Sequence, residues 1–354
     1  MVCRYRALGP FGRAAIAMLG ATVALVAFAA PIAARAGPTP REPRVAGDTL
    51  HVGALGLMPV HGTRTRPAAG RVSADALTYH GGPVMHSSTT YTIYWEPSTC
   101  GIAPCTVVPG YNTGVDTYFA DAAAGSGTVT NVYSTLDQYY SVKRGIREHI
   151  QYAQTFGASY LDTTPFPATN GCPGFRYGTS GVCLSDKQVR DEIAAVMTSQ
   201  SWPGGKSRAL FLMLPSEVDT CFSANICAFT QFCAYHSAFT SPSGRPIIYA
   251  DIPYAGITAA CSSGKVPPNG SELDATLNAA SHEHREMTND PFGNGWWNDL
   301  SGQEGSDRCA YRFGPDLGNG GPNDGAYNQV INGHDYLVQM EWSNRSAACL
   351  QRGR

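Results

Sequence analysis

Charged residues are scarce in this chain. Only 15% of its 354 residues are Asp, Glu, Lys or Arg, whereas 43% are hydrophobic. This balance excludes an intrinsically disordered chain and a coiled coil, both of which need many more charges. The formal net charge is −2 and no long run of Lys or Arg occurs. We therefore expect no nucleic-acid partner, because nothing in the sequence offers a basic surface to a phosphate backbone.

The motifs of several enzyme classes are also missing. The sequence contains no GxSxG nucleophile motif, no glycine-rich nucleotide-binding loop and no CxxC pair. These absences argue against a serine hydrolase built around a nucleophile elbow, against a nucleotide-dependent enzyme and against a zinc cluster made of cysteines.

The N-terminus has the pattern of a secretory signal. Basic residues precede an uncharged apolar run over 14–34, and Ala34-Arg35-Ala36 forms a small-x-small cleavage site. We predict a signal peptide over 1–36, cleaved after Ala36, and a secreted protein with no membrane association after cleavage. The alternative is an uncleaved membrane anchor, because the run approaches the length of a bilayer span. Cleavage removes four of the 25 basic residues, which leaves 21 against 27 acidic ones and a net charge of −6.

The remaining chain divides by composition into two parts. Residues 37–75 are rich in Pro, Gly, Arg and Thr, and they predict a flexible leader or pro-segment outside the core. Residues 76–354 contain no second break of this kind, so we expect one domain, which we take to be monomeric.

Cysteine usage supports the extracellular assignment. Ten of the 11 cysteines remain after Cys3 is removed with the signal, and an even number in an exported chain predicts five disulfides. Short spacings favour three of these pairs, and the partners of the last four cysteines stay open: Cys100 with Cys105, Cys172 with Cys183, Cys221 with Cys227, then Cys233, Cys261, Cys309 and Cys349.

Helical and strand patterns alternate along the domain. Helices are expected over 111–124, after a capping box at Ser185, and over 271–287; strands or extended segments are expected over 89–95, 132–140, 209–214, 246–252 and 336–340. This order predicts a layered α/β (α+β) domain with a mixed sheet. Pro246 and Pro253 bracket one strand, so we expect it at a sheet edge, where it could pair with an extended peptide.

The helix over 271–287 carries the motif HExxE. His282 and Glu286 are four residues apart and so lie on one helical face, where both can bind one cation. Glu283 lies beside them and could act as the general base that takes a proton from a water. This pattern differs from the zinc-protease motif HExxH only in its last residue, and it predicts a zincin-like active-site helix. On the same helix we expect His284 to be a hydrogen-bonded core residue and Arg285 to face solvent.

A third ligand must come from elsewhere in the chain. Glu304 is the first choice and Asp307 the second, with His236 as a further alternative. One imidazole and two carboxylates make an oxygen-rich donor set, so Zn²⁺ is expected and Ca²⁺ or Mn²⁺ could replace it. The opposing interpretation is that HExxE is a chance match in a polar helix.

Four segments resemble those of a known family. They are LTYHGGPVM over 77–85, TNDPFGNGW over 288–296, YNQVINGHDY over 327–336 and EWSN over 341–344. Together they are similar to the phosphate-induced protein family, also called Exordium-like, in the bacterial type that carries HExxE. The resemblance implies a secreted or extracellular-matrix protein, and in plants the family is linked to cell expansion. It implies no established enzyme activity.

Two functions follow from these observations as expectations. The first is a secreted metallohydrolase that acts on peptide or protein substrates. The second is a non-catalytic extracellular module that binds cell-wall polysaccharide through loops rich in glycine and aromatic residues, such as those around Trp296 and Trp297.

Overall fold

The computed structural model describes residues 56–62, 76–174 and 181–353. The predicted signal peptide and most of the predicted leader lie outside these ranges. The described residues belong to one compact unit, residues 49–354. No helix among them is long and apolar enough to cross a membrane.

A mixed sheet of six strands forms the centre of the molecule, with the spatial order β1-β5-β6-β4-β2-β3. The three pairs β3–β2, β2–β4 and β4–β6 are parallel. Strand β5 is antiparallel to β6 and to β1. The strands are β1 (Leu57–Pro59), β2 (Ser88–Trp95), β3 (Gln154–Asp162), β4 (Arg208–Met213), β5 (Phe232–Thr240) and β6 (Pro246–Ile252). The chain is therefore a mixed α/β domain, as its sequence pattern predicts.

Strand β6 lies inside the sheet, so the prediction of an edge strand is wrong. It pairs with β5 on one side and with β4 on the other. Pro246 is the first residue of the strand, where a missing N–H does not interrupt the ladder, and Pro253 follows the last one. Prolines that bracket a strand therefore do not show whether it lies at an edge.

Three α-helices cover the sheet: α1 (Tyr111–Ala124), α2 (Asp186–Ser199) and α3 (Ser271–Asn289). Helix α1 has the predicted bounds. The predicted capping box starts α2, with the Ser185 N–H donating to Gln188 Oε1 at 2.9 Å. Helix α3 starts as predicted and continues two residues beyond Met287.

Two predicted strands differ from the structure. Residues 132–138 form a 3₁₀ helix (Val132–Gln138), which starts where the Asn131 side chain accepts a hydrogen bond from the Tyr133 N–H. This local side-chain cap competes with extended structure. The strand expected over 336–340 is short and ends at Tyr336 (His334–Tyr336).

Smaller elements complete the described chain. A three-stranded sheet contains Val182–Ser185, Val218–Ser223 and Ile226–Cys227. Two-stranded pairs join Thr78–Tyr79 with Trp296–Trp297, Tyr140–Lys143 with Ile146–His149, Gly318–Gly320 with Gly325–Tyr327, Gln329–Ile331 with His334–Tyr336, and Glu341–Ser343 with Ala348–Leu350. Further 3₁₀ turns are Ala255–Ile257, Ala259–Cys261 and Asp307–Cys309.

Part of the predicted leader belongs to the core. Leu57 and Met58 are completely buried in β1, at the edge of the sheet. The expectation of a flexible segment outside the core is therefore wrong for these residues. Burial of these apolar side chains removes apolar surface from water, and it therefore stabilises the folded state more than burial of a polar linker would.

Five disulfides cross-link the domain. The three pairs favoured by spacing are confirmed, and the remaining cysteines pair as Cys233 with Cys261 and Cys309 with Cys349. The disulfides are consistent with an extracellular protein.

Candidate metal centre

Helix α3 is buried on nearly all sides. Every residue from Asp274 to Asn289 is buried, because the helix packs against β5 and β6 on one side and under C-terminal segments on the other. Arg285 was expected to face solvent, and that prediction is wrong. Its Nε donates to Ser281 O at 2.9 Å and its Nη1 to Gln339 O at 3.1 Å, and Nη1 lies 3.4 Å from Glu341 Oε2. Helical periodicity predicts which face of α3 packs on the sheet, but it does not show that C-terminal segments cover the opposite face.

The structure brings together His282, Glu286 and Asp307. His282 Nε2 lies 3.2 Å from Glu286 Oε2 and 3.5 Å from Asp307 Oδ1. One ligand atom from each of the three residues lies within 4.8 Å of the others. The spacing suits a single cation, whose bonds to nitrogen and oxygen are about 2.0–2.2 Å for Zn²⁺.

Glu304 lies on the other side of this group, next to His236. Its Oε2 is 3.8 Å from His236 Nε2, and both of its carboxylate oxygens are buried without a hydrogen-bond partner. His236 comes from β5, and its Nε2 is 3.3 Å from Asp290 O at the end of α3. The three alternatives for the third ligand, Glu304, Asp307 and His236, thus all reach the same buried region.

Glu283 is held by two hydrogen bonds. Its Oε2 lies 3.0 Å from His236 Nδ1, and its Oε1 accepts the Met58 N–H at 3.3 Å. Glu283 is therefore fixed beside His282 and Glu286 by two strands, β5 and β1.

Several buried polar atoms of the cluster have no hydrogen-bond partner. They are His282 Nε2, which lies within ion-pair distance of the next two atoms, Glu286 Oε2 and Asp307 Oδ1, and both carboxylate oxygens of Glu304. An unsatisfied buried polar atom costs about 1–3 kcal/mol, and more when it is charged. A bound cation would satisfy these nitrogen and oxygen lone pairs together, which is why we regard the cluster as a candidate metal centre.

Burial dominates the acid–base behaviour of the cluster. It raises the pKa of Glu283 to about 8 and that of Glu286 to about 7, with Asp307 adding to both shifts. Burial also raises the pKa of Glu304 well above its ordinary value, and nearby Glu286 raises it further. Burial alone would lower the pKa of His282, but Glu286 and Asp307 outweigh it and raise that pKa. Bound protons thus neutralise negative charge on the buried carboxylates, and a divalent cation could balance the same charge.

The acidic return loop is fixed from two directions. The Asp307 N–H donates to Glu286 Oε1 at 3.0 Å, and the Ser306 hydroxyl donates to Glu341 Oε2 at 2.6 Å. The Cys309–Cys349 disulfide follows directly. A Cβ at Gly305 would lie 2.0 Å from Glu341 Oε1, so only glycine lets the loop approach this closely.

Gln339 orients the imidazole of His282. Its side-chain amide lies 3.0 Å from His282 Nδ1 and also donates to Ser306 O at 2.8 Å. When Nε2 binds a cation, Nδ1 carries the hydrogen, so the Gln339 amide would have to turn its oxygen toward Nδ1 to hold the ring. The sequence does not point to Gln339, because no local motif connects it with the helix.

The other expected residues have structural roles. His284 is in the core, where its Nε2 lies 3.2 Å from the Ser88 hydroxyl, and burial lowers its pKa to about 3. Trp296 is buried between aromatic rings, and Trp297 stacks on His80 with 3.5 Å between ring centroids.

No protein-family model, no curated protein and no solved structure matches the chain significantly. The resemblance to the phosphate-induced protein family therefore stays a prediction, and the argument for function rests on the geometry of the site.

Proposed function

We propose that this protein is a secreted, metal-dependent hydrolase with a zincin-like site and that it acts on peptide bonds. The observation that carries the proposal is the group of buried ligand atoms on His282, Glu286 and Asp307, which lie within 4.8 Å of one another, with the unpartnered carboxylate of Glu304 beside His236. Buried networks of charged residues that only stabilise the fold also shift pKa values, but they leave few buried polar atoms without a hydrogen-bond partner.

The donor atoms favour a cation of intermediate hardness. One imidazole nitrogen and carboxylate oxygens suit Zn²⁺ or Mn²⁺, and Ca²⁺ would need more oxygen ligands. Glu304 has two free oxygens with which to complete the set. A bound divalent cation would supply Lewis acidity, polarising a water and the substrate carbonyl.

Glu283 is the general base in this proposal. It lies next to His282 along α3, its carboxylate is bonded to His236, and one ligand atom each of His236, Glu283 and Glu286 lies within 4.8 Å of the others. A carboxylate with a pKa raised toward neutrality can take a proton from water and pass it to the leaving amine. His236 positions that carboxylate.

The position of the sheet supports a peptide as the substrate. Strand β5 carries His236 directly beside Glu283, and β1 and β6 pair with its two edges at this point, so a substrate chain would pass the site by taking the place of β1 on β5. Five disulfides suit a protein that works outside the cell.

Metal analysis tests the proposal. The mature protein, purified without chelators, should contain about one divalent cation per chain, and Glu286→Gln should lose it. Glu148→Gln, which changes a partly exposed glutamate in the strand Ile146–His149, serves as the control. A wild-type protein without bound cation after incubation with Zn²⁺, Mn²⁺ and Ca²⁺ would overturn the proposal.

A digest of a peptide library, read by mass spectrometry, tests the reaction itself. Cleavage should disappear on chelation and return when the cation is restored. If the wild-type protein binds cation and cleaves nothing, while Trp297→Ala removes binding to a glycan array, the second function, a polysaccharide-binding module, replaces the hydrolase.

A further inference from the structure

Strand β1 occupies the edge of the sheet beside Glu283. It runs antiparallel to β5, with Met58 opposite Ala234, and the His236 N–H donates to Gly56 O at 2.8 Å. Farther along, the Tyr311 hydroxyl donates to Pro59 O at 2.9 Å. Main-chain groups thus hold this segment in the way that a sheet edge holds an added peptide strand.

The same segment occupies an oxygen of Glu283. The Met58 N–H bonds to Oε1, while His236 is bonded to Oε2. A general base needs a lone pair of its carboxylate to accept a proton from water. With β1 in place, each oxygen of Glu283 has one hydrogen-bond partner, so an attacking water would have to share an oxygen with the Met58 N–H or with His236.

Strand β1 is the shortest strand of the central sheet and lies at its edge. It has three residues, and its pairing with β5 is irregular between Met58 and Pro59. All five disulfides lie between Cys100 and Cys349, so none of them joins β1 to the domain. A short strand without a covalent cross-link can leave a sheet edge more easily than an internal strand.

We infer that the edge of β5 beside Glu283 is a binding site for an extended peptide and that residues 56–60 of the same chain occupy it as an internal competitor. The inference rests on the proposed function for the role of Glu283, but the binding site itself does not need a cation.

The fit of β1 indicates which peptides the site takes. A Cβ at Gly56 would lie 2.2 Å from the His236 ring, and its φ is +58°, so the position beside His236 requires glycine. The next two side chains, Leu57 and Met58, are completely buried. The ligand class is therefore an extended peptide with glycine followed by two large apolar residues.

Tethering explains why an added peptide would compete poorly with the wild-type chain. A segment joined to its site by a short linker has an effective concentration on the order of 1 mM. A free peptide at micromolar concentration cannot displace it unless β1 is weakened.

Two glycine substitutions in the full mature chain test the inference. Gly56→Ala places a methyl group against His236, whereas Gly62→Ala adds the same methyl group at φ +96° with nothing within 4 Å. The probe is a fluorescent synthetic peptide with the sequence of residues 54–62. Gly56→Ala should bind it about tenfold more tightly than the wild type does, and Gly62→Ala should not.

Hydrogen exchange gives a readout that does not depend on activity. In Gly56→Ala the amides of β5 that face β1 should exchange about tenfold faster, and in the wild type the amides of β1 should already exchange faster than those between β5 and β6. Equal protection of β1 and β6 in the wild type would overturn the inference, even if Gly56→Ala does not fold.

The outcomes separate this inference from the proposed function. If Gly56→Ala binds the peptide while the wild type contains no cation and cleaves nothing, the peptide site stands and the hydrolase fails. If the wild type binds cation and cleaves peptides, while Gly56→Ala neither binds the probe nor loosens β5, the hydrolase stands and β1 is a permanent strand.

Discussion

Two side chains at the centre of the site have different tasks, although they are neighbours in sequence. His282 directs its Nε2 at Glu286 and Asp307, whereas Glu283 is bonded to His236 and Met58. The HExxE spacing predicts this division, because residues one position apart project at different angles from a helix. The partner of Glu283 on β5 could not be predicted, since only the fold brings it there.

Glu283→Gln should retain the cation and lose hydrolysis. The amide keeps the shape of the side chain but cannot accept a proton, so kcat should fall by about 10²–10⁴. Metal content and kcat measured on the same sample check this, with Glu148→Gln as the control. Loss of the cation together with activity would show instead that Glu283 is a ligand.

Gln339→Leu should weaken cation binding without removing a ligand. A partner of a metal-binding histidine is worth about 10–100-fold in metal affinity. The amide nitrogen of Gln339 faces His282 Nδ1, and the amide can turn its oxygen to Nδ1 when Nε2 binds a cation, whereas Leu offers no polar atom. Gln339→Glu supplies a carboxylate acceptor and should recover most of the affinity, as measured by titration with a metal indicator. Equal losses in both variants would contradict a role in orienting the imidazole.

At the scale of elements, the return loop is as important as the helix. Ser306 and Asp307 reach α3 from a segment that is closed by the Cys309–Cys349 disulfide. Replacing both cysteines of this pair with Ser should reduce cation affinity as well as stability. The same change at Cys100 and Cys105 should reduce stability alone, because that pair contacts none of the candidate ligands in the described structure.

The stability part of this prediction follows from loop length. The two disulfides span 40 and five residues, for which chain entropy predicts about 4 and about 2 kcal/mol. Urea unfolding measures the difference, and metal titration measures the affinity. Unchanged cation affinity without the Cys309–Cys349 bond would show that the loop holds its position alone.

Local sequence patterns predicted where the helices and strands lie along the chain better than they predicted which elements pack side by side. The bounds of α1, the cap of α2 and the start of α3 depend on residues within one or two turns, so the sequence was sufficient for them. The order of strands depends on distant contacts. For this reason β6 was wrongly expected at an edge, and Arg285 was wrongly expected in solvent.

The candidate site was predictable in part for the same reason. The motif on α3 and its downstream acids were visible in the sequence, although the choice among Glu304, Asp307 and His236 was not. The role of β1 could not be predicted, because a Pro- and Gly-rich leader has no periodicity from which burial could be read.

For the whole molecule, the acidic cluster should make stability depend on pH in opposite ways with and without cation. Burial raises the pKa of Glu283 to about 8 and of Glu286 to about 7, from 4.5. As pH rises above 4.5, the unfolded chain releases these protons and the folded chain keeps them. Without cation, the free energy of unfolding should therefore fall as pH rises to about 8.

Cation binding should prevent this fall in the free energy of unfolding, since the cation replaces the protons on the buried carboxylates. The increase in Tm on adding Zn²⁺ should be larger near pH 8 than near pH 5, when measured by calorimetry against a chelated sample. Glu286→Gln should flatten the profile of the chelated protein. Parallel profiles with and without cation would contradict the link between the cluster and a metal.

The most direct measurement is anomalous X-ray scattering from crystals grown with Zn²⁺. The account predicts one strong peak about 2.0–2.2 Å from His282 Nε2 and from carboxylate oxygens of Glu286 and Asp307 or Glu304. A peak between His236 and Glu283 instead, or no peak in this cluster at saturating Zn²⁺, would contradict it.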